Sequence, residues 1–341
     1  MRRVKLLACL LALVTISVPP PRWEPQTSGV AARLRGVSAV DDRVAWASGA
    51  NGTVVRTADG GATWTKLTVP GAETLDFRDV DALSATTACV LSIGSGAASR
   101  IYRTADAGAH WTLQFTNDDP KAFFDAMAFW DAGHGLAFSD SVDGRFVMIR
   151  TADGGRTWTR VPPDALPPAL PAKAPSFGSG TNIAVGSGGR AWIGTGAAER
   201  SRMLVTTDRG AHWRVQETPI ASSASSGIFS VAFRDSRHGL AAGGDYRKER
   251  DAVDNAAASS DGGLTWTTIA GLGGFRSVVA FAPRSASSWI AVGPQGADWS
   301  DDDGRTWTPI PGGGFHAFAF SPSGRVGWGV GERGSVARLV R

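Results

Sequence analysis

Carboxylates at a regular spacing are raw material for acid–base chemistry, and this chain carries six of them in one repeating pattern. Asp59, Asp106, Asp153, Asp208, Asp261 and Asp302 each stand third in S/T-x-D-x-G-x-x-W. The copies begin at Thr57, Thr104, Thr151, Thr206, Ser259 and Ser300, and end at Trp64, Trp111, Trp158, Trp213, Trp266 and Trp307. The residue types favour a turn over catalysis. A short Asp side chain accepts backbone N–H groups and closes a turn. Gly supplies a positive φ that a side chain resists. Trp is read as a large apolar plug that leaves the turn and starts the next strand. The six aspartates are therefore assigned as structural turn formers.

Little else is spaced for chemistry. His110 and His212 fill variable positions of the repeat, His134 and His238 share a D-x-x-H-G turn, and His316 begins the last unit. No HxxxH, HExxH or CxxC pair occurs, so no metal site is expected. The 43 glycines contain no GxxxxGK[ST] loop, and no cofactor is expected. Tyr102 directly precedes a repeat, which leaves Tyr246 as the plausible tyrosine nucleophile, with Glu249 as a candidate base. Lys and Arg are scattered without runs and the net charge is +4, so no nucleic-acid stripe is expected.

The elements that position these residues follow from the repeat. Successive repeat tryptophans are 47, 47, 55, 53 and 41 residues apart. A period near fifty with one turn signature per copy predicts an all-β, seven-bladed propeller of four-stranded blades. Such a pattern is similar to the Asp-box, or BNR, repeat of sialidases and related propellers. Each blade reads as strands a, b and c, the Asp-box, then strand d. In the first blade these are 34–40, 44–47, 53–56 and 64–69. A seventh unit has strands at 317–320, 326–330 and 335–340 but no Asp-box. Residues 23–27, Trp-Glu-Pro-Gln-Thr, resemble the strand d that leaves each Asp-box, so they are expected to supply its missing strand and close the ring.

Residues 1–5 are basic and 6–18 apolar, too short a run to span a bilayer comfortably. Residues 1–21 are read as an export signal and 22–341 as the propeller. Contact with a membrane is expected only through that signal. The mature chain keeps one cysteine, Cys89, in an apolar run where an inert buried thiol is expected.

Beyond the repeat, the mature chain resembles bacterial propellers of the photosystem II stability/assembly factor type. The resemblance rests on residues 23–29, Leu34-Arg35-Gly36-Val37, residues 44–49, Phe124-Asp125-Ala126, residues 139–146, 180–183, Gly227-Ile228-Phe229-Ser230 and Gly243-Gly244-Asp245-Tyr246. It implies an exported seven-bladed propeller, periplasmic or secreted. Photosynthetic members assist assembly by binding a reaction-centre protein. The resemblance thus implies a non-catalytic binding propeller, expected to be a monomer with a protein or a polar or glycan ligand. The competing expectation is a glycoside hydrolase of the sialidase-like Asp-box type. Sialidases use an arginine triad and a Tyr nucleophile activated by Glu, but their F/Y-R-I-P motif does not occur here.

Loop lengths place the binding face. In a four-stranded blade, d–a connections and b–c loops share one end, and Asp-boxes lie at the other. Blades three, four and five carry long b–c loops at 139–145, 195–202 and 243–255. Residues 160–180, leading into blade four, hold six prolines. Asp125, Asp140, Asp143, Arg145, Asn182, Arg202, Asp245 and Tyr246 are expected to converge on a polar pocket near the channel mouth.

Overall fold

A computed structural model describes residues 20–171 and 179–341. The export signal expected over 1–21 lies almost wholly outside the described residues, as does part of the proline-rich connection. The described chain forms seven four-stranded antiparallel sheets, each running a-b-c-d outward from the ring axis. The a strands are Leu34–Ala39, Asp76–Ala82, Phe124–Phe129, Ile183–Gly186, Ser226–Phe233, Val278–Phe281 and Ala317–Phe320. Neighbouring blades pack through these inner strands and the b strands behind them.

Apolar packing between blades holds the ring. Trp46, Trp192, Trp289 and Trp328 occupy strand b of blades one, four, six and seven, and all are fully buried. Trp192 stacks on Phe233 of the next blade at 3.7 Å. Burying an aromatic side chain of this size contributes roughly 3–5 kcal/mol, judged by truncation to Ala. Cys89 is also buried, and burial pushes its thiol up to about 12, so it is inert.

Closure follows the expected route. Arg22–Thr27 pairs antiparallel with Ser335–Val340, with Trp23 opposite Leu339. The sheet of blade seven therefore joins both ends of the described chain. Trp23 packs against Phe315 and Phe318 at 4.6 and 5.8 Å. Gln26 ties the closing strand to blade one: its amide donates to Gly60 O at 3.0 Å, and its oxygen accepts Trp64 Nε1 at 3.1 Å.

The six repeats form one hydrogen-bonded turn. In the first, Thr57 Oγ1 donates to Asp59 Oδ1 at 2.9 Å and accepts Gly61 N–H at 2.8 Å. Asp59 also accepts the Thr63 N–H and hydroxyl at 2.9 and 2.6 Å. The glycine bond recurs at Gly108, Gly155, Gly210, Gly263 and Gly304. Every one of these glycines has a positive φ, between 77° and 89°. One expectation needs correction: the tryptophan does not start strand d. The strand begins one residue later, as at Thr65, Thr112 and Thr159. In blades four to six the indole instead turns back and donates to the glycine carbonyl of its own turn.

Candidate functional site

The a strands do more than pack. In blades one, two, three and five, the pairing between strands a and b slips by one residue. The extra residues are Arg35, Arg78, Asp125 and Phe229. A bulge bends the strand and re-aims its extra side chain. Here Arg35, Arg78 and Phe229 line a cavity of about 400 Å³ at the channel mouth. The cavity lies among d–a connections and b–c loops, at the end away from the Asp-boxes.

One wall is cationic. Arg33, Arg35 and Arg78 line it. Arg35 and Arg33 both reach Asp76 Oδ2, at 2.6 and 3.3 Å. Arg78 Nη1 pairs with Asp125 Oδ1 at 3.0 Å, and Asp125 is fully buried. Burial, then the charge of Arg78, pushes Arg35 down to about 10. That shift marks positive charge crowded where water is scarce. The facing wall is aromatic: Phe229 meets Phe275 edge-on at 4.7 Å and Tyr246 at 6.0 Å. Glu249 and His316 complete the polar lining. Burial lowers His316, against the opposing pull of Glu332, whose Oε1 lies 2.8 Å from its Nε2.

The floor is a segment of chain laid across the channel. Ser179 donates its hydroxyl to Phe229 O of blade five and lies 3.2 Å from Ser277 O of blade six. Thr181 donates to the same Ser277 carbonyl at 3.1 Å. Gly180 rests on blade two, where any Cβ would come within 2.7 Å of Asp79 Oδ1. The close approach requires glycine there. Below the floor, burial and then the neighbouring charge of Asp81 raise Asp79 to about 8, against N–H bonds from Met127 and Val80. Burial raises Asp81 to about 6 while it accepts Phe129 N–H at 3.0 Å.

The eight residues expected to converge do not share one wall. Tyr246 lines the cavity. Asp125 stands behind Arg78, hydrogen-bonded also to Asp140. Asp245 accepts the Arg247 N–H at 2.9 Å and shapes the loop that carries Tyr246. Asn182 is buried at the start of blade four, its amide donating to Gly194 O at 3.3 Å. The other three gather elsewhere. Asp143 is exposed and pairs with Lys121 at 2.9 Å. Arg145 reaches Asp164 at 3.4 Å, and Arg202 donates to Pro168 O at 3.0 Å, so both brace the connection out of blade three. The long loops of blades three and five are also shorter than expected. Strands b and c of blade three continue to Val142 and Arg145 around a two-residue Asp143-Gly144 turn with positive φ at both. Strand b of blade five runs on to Asp245.

Sequence reasoning missed Arg33, Arg35 and Arg78. A signal was present. Leu34-Arg35-Gly36-Val37, Phe77-Arg78-Asp79-Val80, Phe124-Asp125-Ala126-Met127 and Ile228-Phe229-Ser230-Val231 align as apolar, variable, short, apolar. The variable position is the bulge. Among the described residues, no three His, Cys, Asp or Glu side chains are grouped to hold a metal ion.

No family model matches the chain, and no curated protein matches its sequence. Solved structures do match its fold. One is YCF48 bound to a D1 peptide, with a TM-score of 0.67 and 17% identity over 94% of this chain and 95% of that one. A second is YCF48 from Cyanidioschyzon merolae, again at 0.67 and 17%, over 94% and 99%. A third is a GH74 xyloglucanase from Xanthomonas campestris, at 0.67 and 16%, over 92% of this chain but 53% of that one. The chain thus shares the propeller fold of the YCF48 structures along nearly its whole described length.

Proposed function

We propose that this chain is an exported, monomeric, non-catalytic propeller that holds a peptide segment of a protein partner at its channel mouth. The observation that carries the reading is the cavity in which Arg33, Arg35 and Arg78 face Phe229, Tyr246 and Phe275. Arginines crowded in a poorly hydrated wall favour a carboxylate, through charge-assisted and forked hydrogen bonds. The opposite aromatic wall suits an apolar side chain beside that carboxylate. A structural neighbour, YCF48, has been solved with a D1 peptide bound, which supports a peptide as the ligand class. The export part of the reading rests on the basic and apolar N-terminal residues 1–18.

The test is a library of fluorescein-labelled octapeptides with Asp or Glu near one end. Saturable binding should weaken at least tenfold for Arg35→Ala and for Tyr246→Ala, and should fall with added salt. The reading fails if no peptide binds saturably, or if Arg35→Ala binds the best peptide as tightly as the parent.

One observation favours a second reading. Three arginines, Tyr246 and Glu249 line a single cavity, which are the residue types of a sialidase site. Against it, Glu249 is engaged by Gln295 at 2.7 Å, and the F/Y-R-I-P motif of sialidases does not occur in the sequence. Release of fluorophore from a fluorogenic sialoside, abolished by Tyr246→Phe, would establish it in place of the first.

A further inference from the structure

A second depression adjoins the cavity, and the two share one residue. It holds about 500 Å³ over the loop end of blade six. Pro294, at the tip of the b–c hairpin of that blade, lines both. At the same tip, Gln295 donates to Glu249 of the cavity lining at 2.7 Å. The depression runs outward from this tip to Pro309 and Ile310 of strand d, at the rim of the ring.

Gly273, Gly296, Gly312, Gly313 and Gly314 expose backbone along it. Its floor is polar but neutral. Arg276 and Asp298 form an ion pair there, with 4% and 2% of their side chains exposed. Asp298 Oδ2 accepts Arg276 Nε at 2.7 Å and Gly273 N–H at 3.3 Å. Arg276 Nη1 donates to Phe275 O at 3.0 Å. A floor whose charges are matched within itself offers no site for a charged side chain. A groove walled by backbone accepts another backbone at close range.

We infer that this groove carries the rest of the partner's chain: an extended peptide anchored by its acidic end in the arginine cavity leaves radially over Pro294 and crosses blade six toward Pro309. The inference rests on the peptide-binding reading above. It adds a direction and a length. Strands a to d are three sheet spacings apart, roughly 14 Å. An extended chain covers that in about four residues.

The test uses the tightest octapeptide whose binding depends on Arg35. Removing the four residues farthest from its acidic end should weaken binding at least tenfold. Photo-crosslinking adds position. Protein with p-benzoylphenylalanine in place of Gln295 should label peptide residues near the anchor. Protein with the label in place of Pro309 should label residues about four farther along. A label in place of Leu264, which is exposed on the opposite end, should capture nothing. If the four-residue and eight-residue peptides bind equally, the track is wrong while the cavity reading stands. Cross-links from a label in place of Asp143, and none from Gln295, overturn it in the same way. If no octapeptide shows dependence on Arg35, cavity and track fall together. Should the Pro309 label prevent folding, the truncation series decides alone.

Discussion

At the Asp-box end of the ring, Asp59 is held at about 2 by the hydroxyl and then the N–H of Thr63. Asp106 is held at about 2 by the N–H of His110 and then its ring. Inside the channel, beneath the floor of the cavity, burial lifts Asp79 to about 8 and Asp81 to about 6. The same side chain thus serves two regions of one fold in opposite electrostatic states. The difference is solvent and partners. An exposed carboxylate inside a turn collects donors that favour its charge, whereas a carboxyl under the plug of the channel loses water. Regular spacing therefore marks the end that shapes the ring. The end with an irregular set of bulge residues holds the cavity between the arginine and aromatic walls.

The comparison breaks first if the ring itself opens. Deleting residues 20–28 removes the strand paired with Ser335–Val340 and the Gln26 bonds to blade one. It leaves Ser335–Val340 as an unpaired outer edge of blade seven. The expected outcome is a fall in melting temperature of more than about 10 °C, or loss of a single cooperative transition, by circular dichroism. An unchanged transition would mean that closure does not hold the ring.

Next in size is the Arg78–Asp125 pair at the mouth. Asp125→Ala leaves the Arg78 guanidinium without its fully buried carboxylate partner. Removing one partner of a buried pair costs about 3–5 kcal/mol. Chemical denaturation should show it as a lower midpoint with an unchanged slope. At the other end, Thr57→Val keeps the side-chain shape but leaves the buried Gly61 N–H without its acceptor. That costs about 1–3 kcal/mol. A larger loss at Thr57 than at Asp125 would invert the proposed contrast.

The Asp-box turns and the channel interior also respond to pH with opposite sign. For Asp79, the folded value of about 8 lies above the usual 3.8. Between those values the unfolded chain has already released its proton while the folded chain retains it. Stability from this group is thus greatest below pH 3.8 and is lost as pH rises to 8. Asp81 adds the same sign between 3.8 and about 6. Asp59 and Asp106 behave in reverse: their contribution is present above 3.8 and is lost as pH falls through about 2. Melting temperature should therefore decline from about pH 6 to about pH 8.5 in the parent, and the decline should shrink in Asp79→Asn. An equal decline in the variant would remove Asp79 as its source.

Sequence alone reached the ring more easily than the site, for a physical reason. The turn chemistry of residues 57–64 is local, so each copy carries its own signature. Closure by residues 23–27 was also legible, because this segment repeats the residue types that leave the other turns, beginning with Trp23. The cavity depends on which a-strand residue is extra, and that is set by pairing with strand b. Asp125 was singled out, but Arg35 and Arg78, in the same bulge position, were not. Loop length misled in blade three, where 139–145 is mostly a continued hairpin. Floor residues such as Gly180 gain their role from contacts with blades distant in sequence, which no local pattern displays.

The smallest effect belongs to the outlying candidates, and it sharpens the contrast by its size. Asp143 and Lys121 form an ion pair at 2.9 Å, with side chains 72% and 65% exposed. Water screens such a pair, and the ordering of two mobile side chains offsets any gain. The Asp143 backbone has φ 50°, a conformation that Asn adopts as readily as Asp. Asp143→Asn should therefore shift the melting temperature by no more than about 1 °C. It should also leave binding of the Arg35-dependent octapeptide unchanged within about twofold, because Asp143 is absent from the cavity lining. Tyr246→Ala, from the same set of sequence candidates, should weaken that binding at least tenfold, because its ring stands on the aromatic wall. If Asp143→Asn instead weakens binding as much as Tyr246→Ala, the ligand extends over blade three. The working surface would then be the broad sector of elaborated loops, and the arginine cavity would be one part of it.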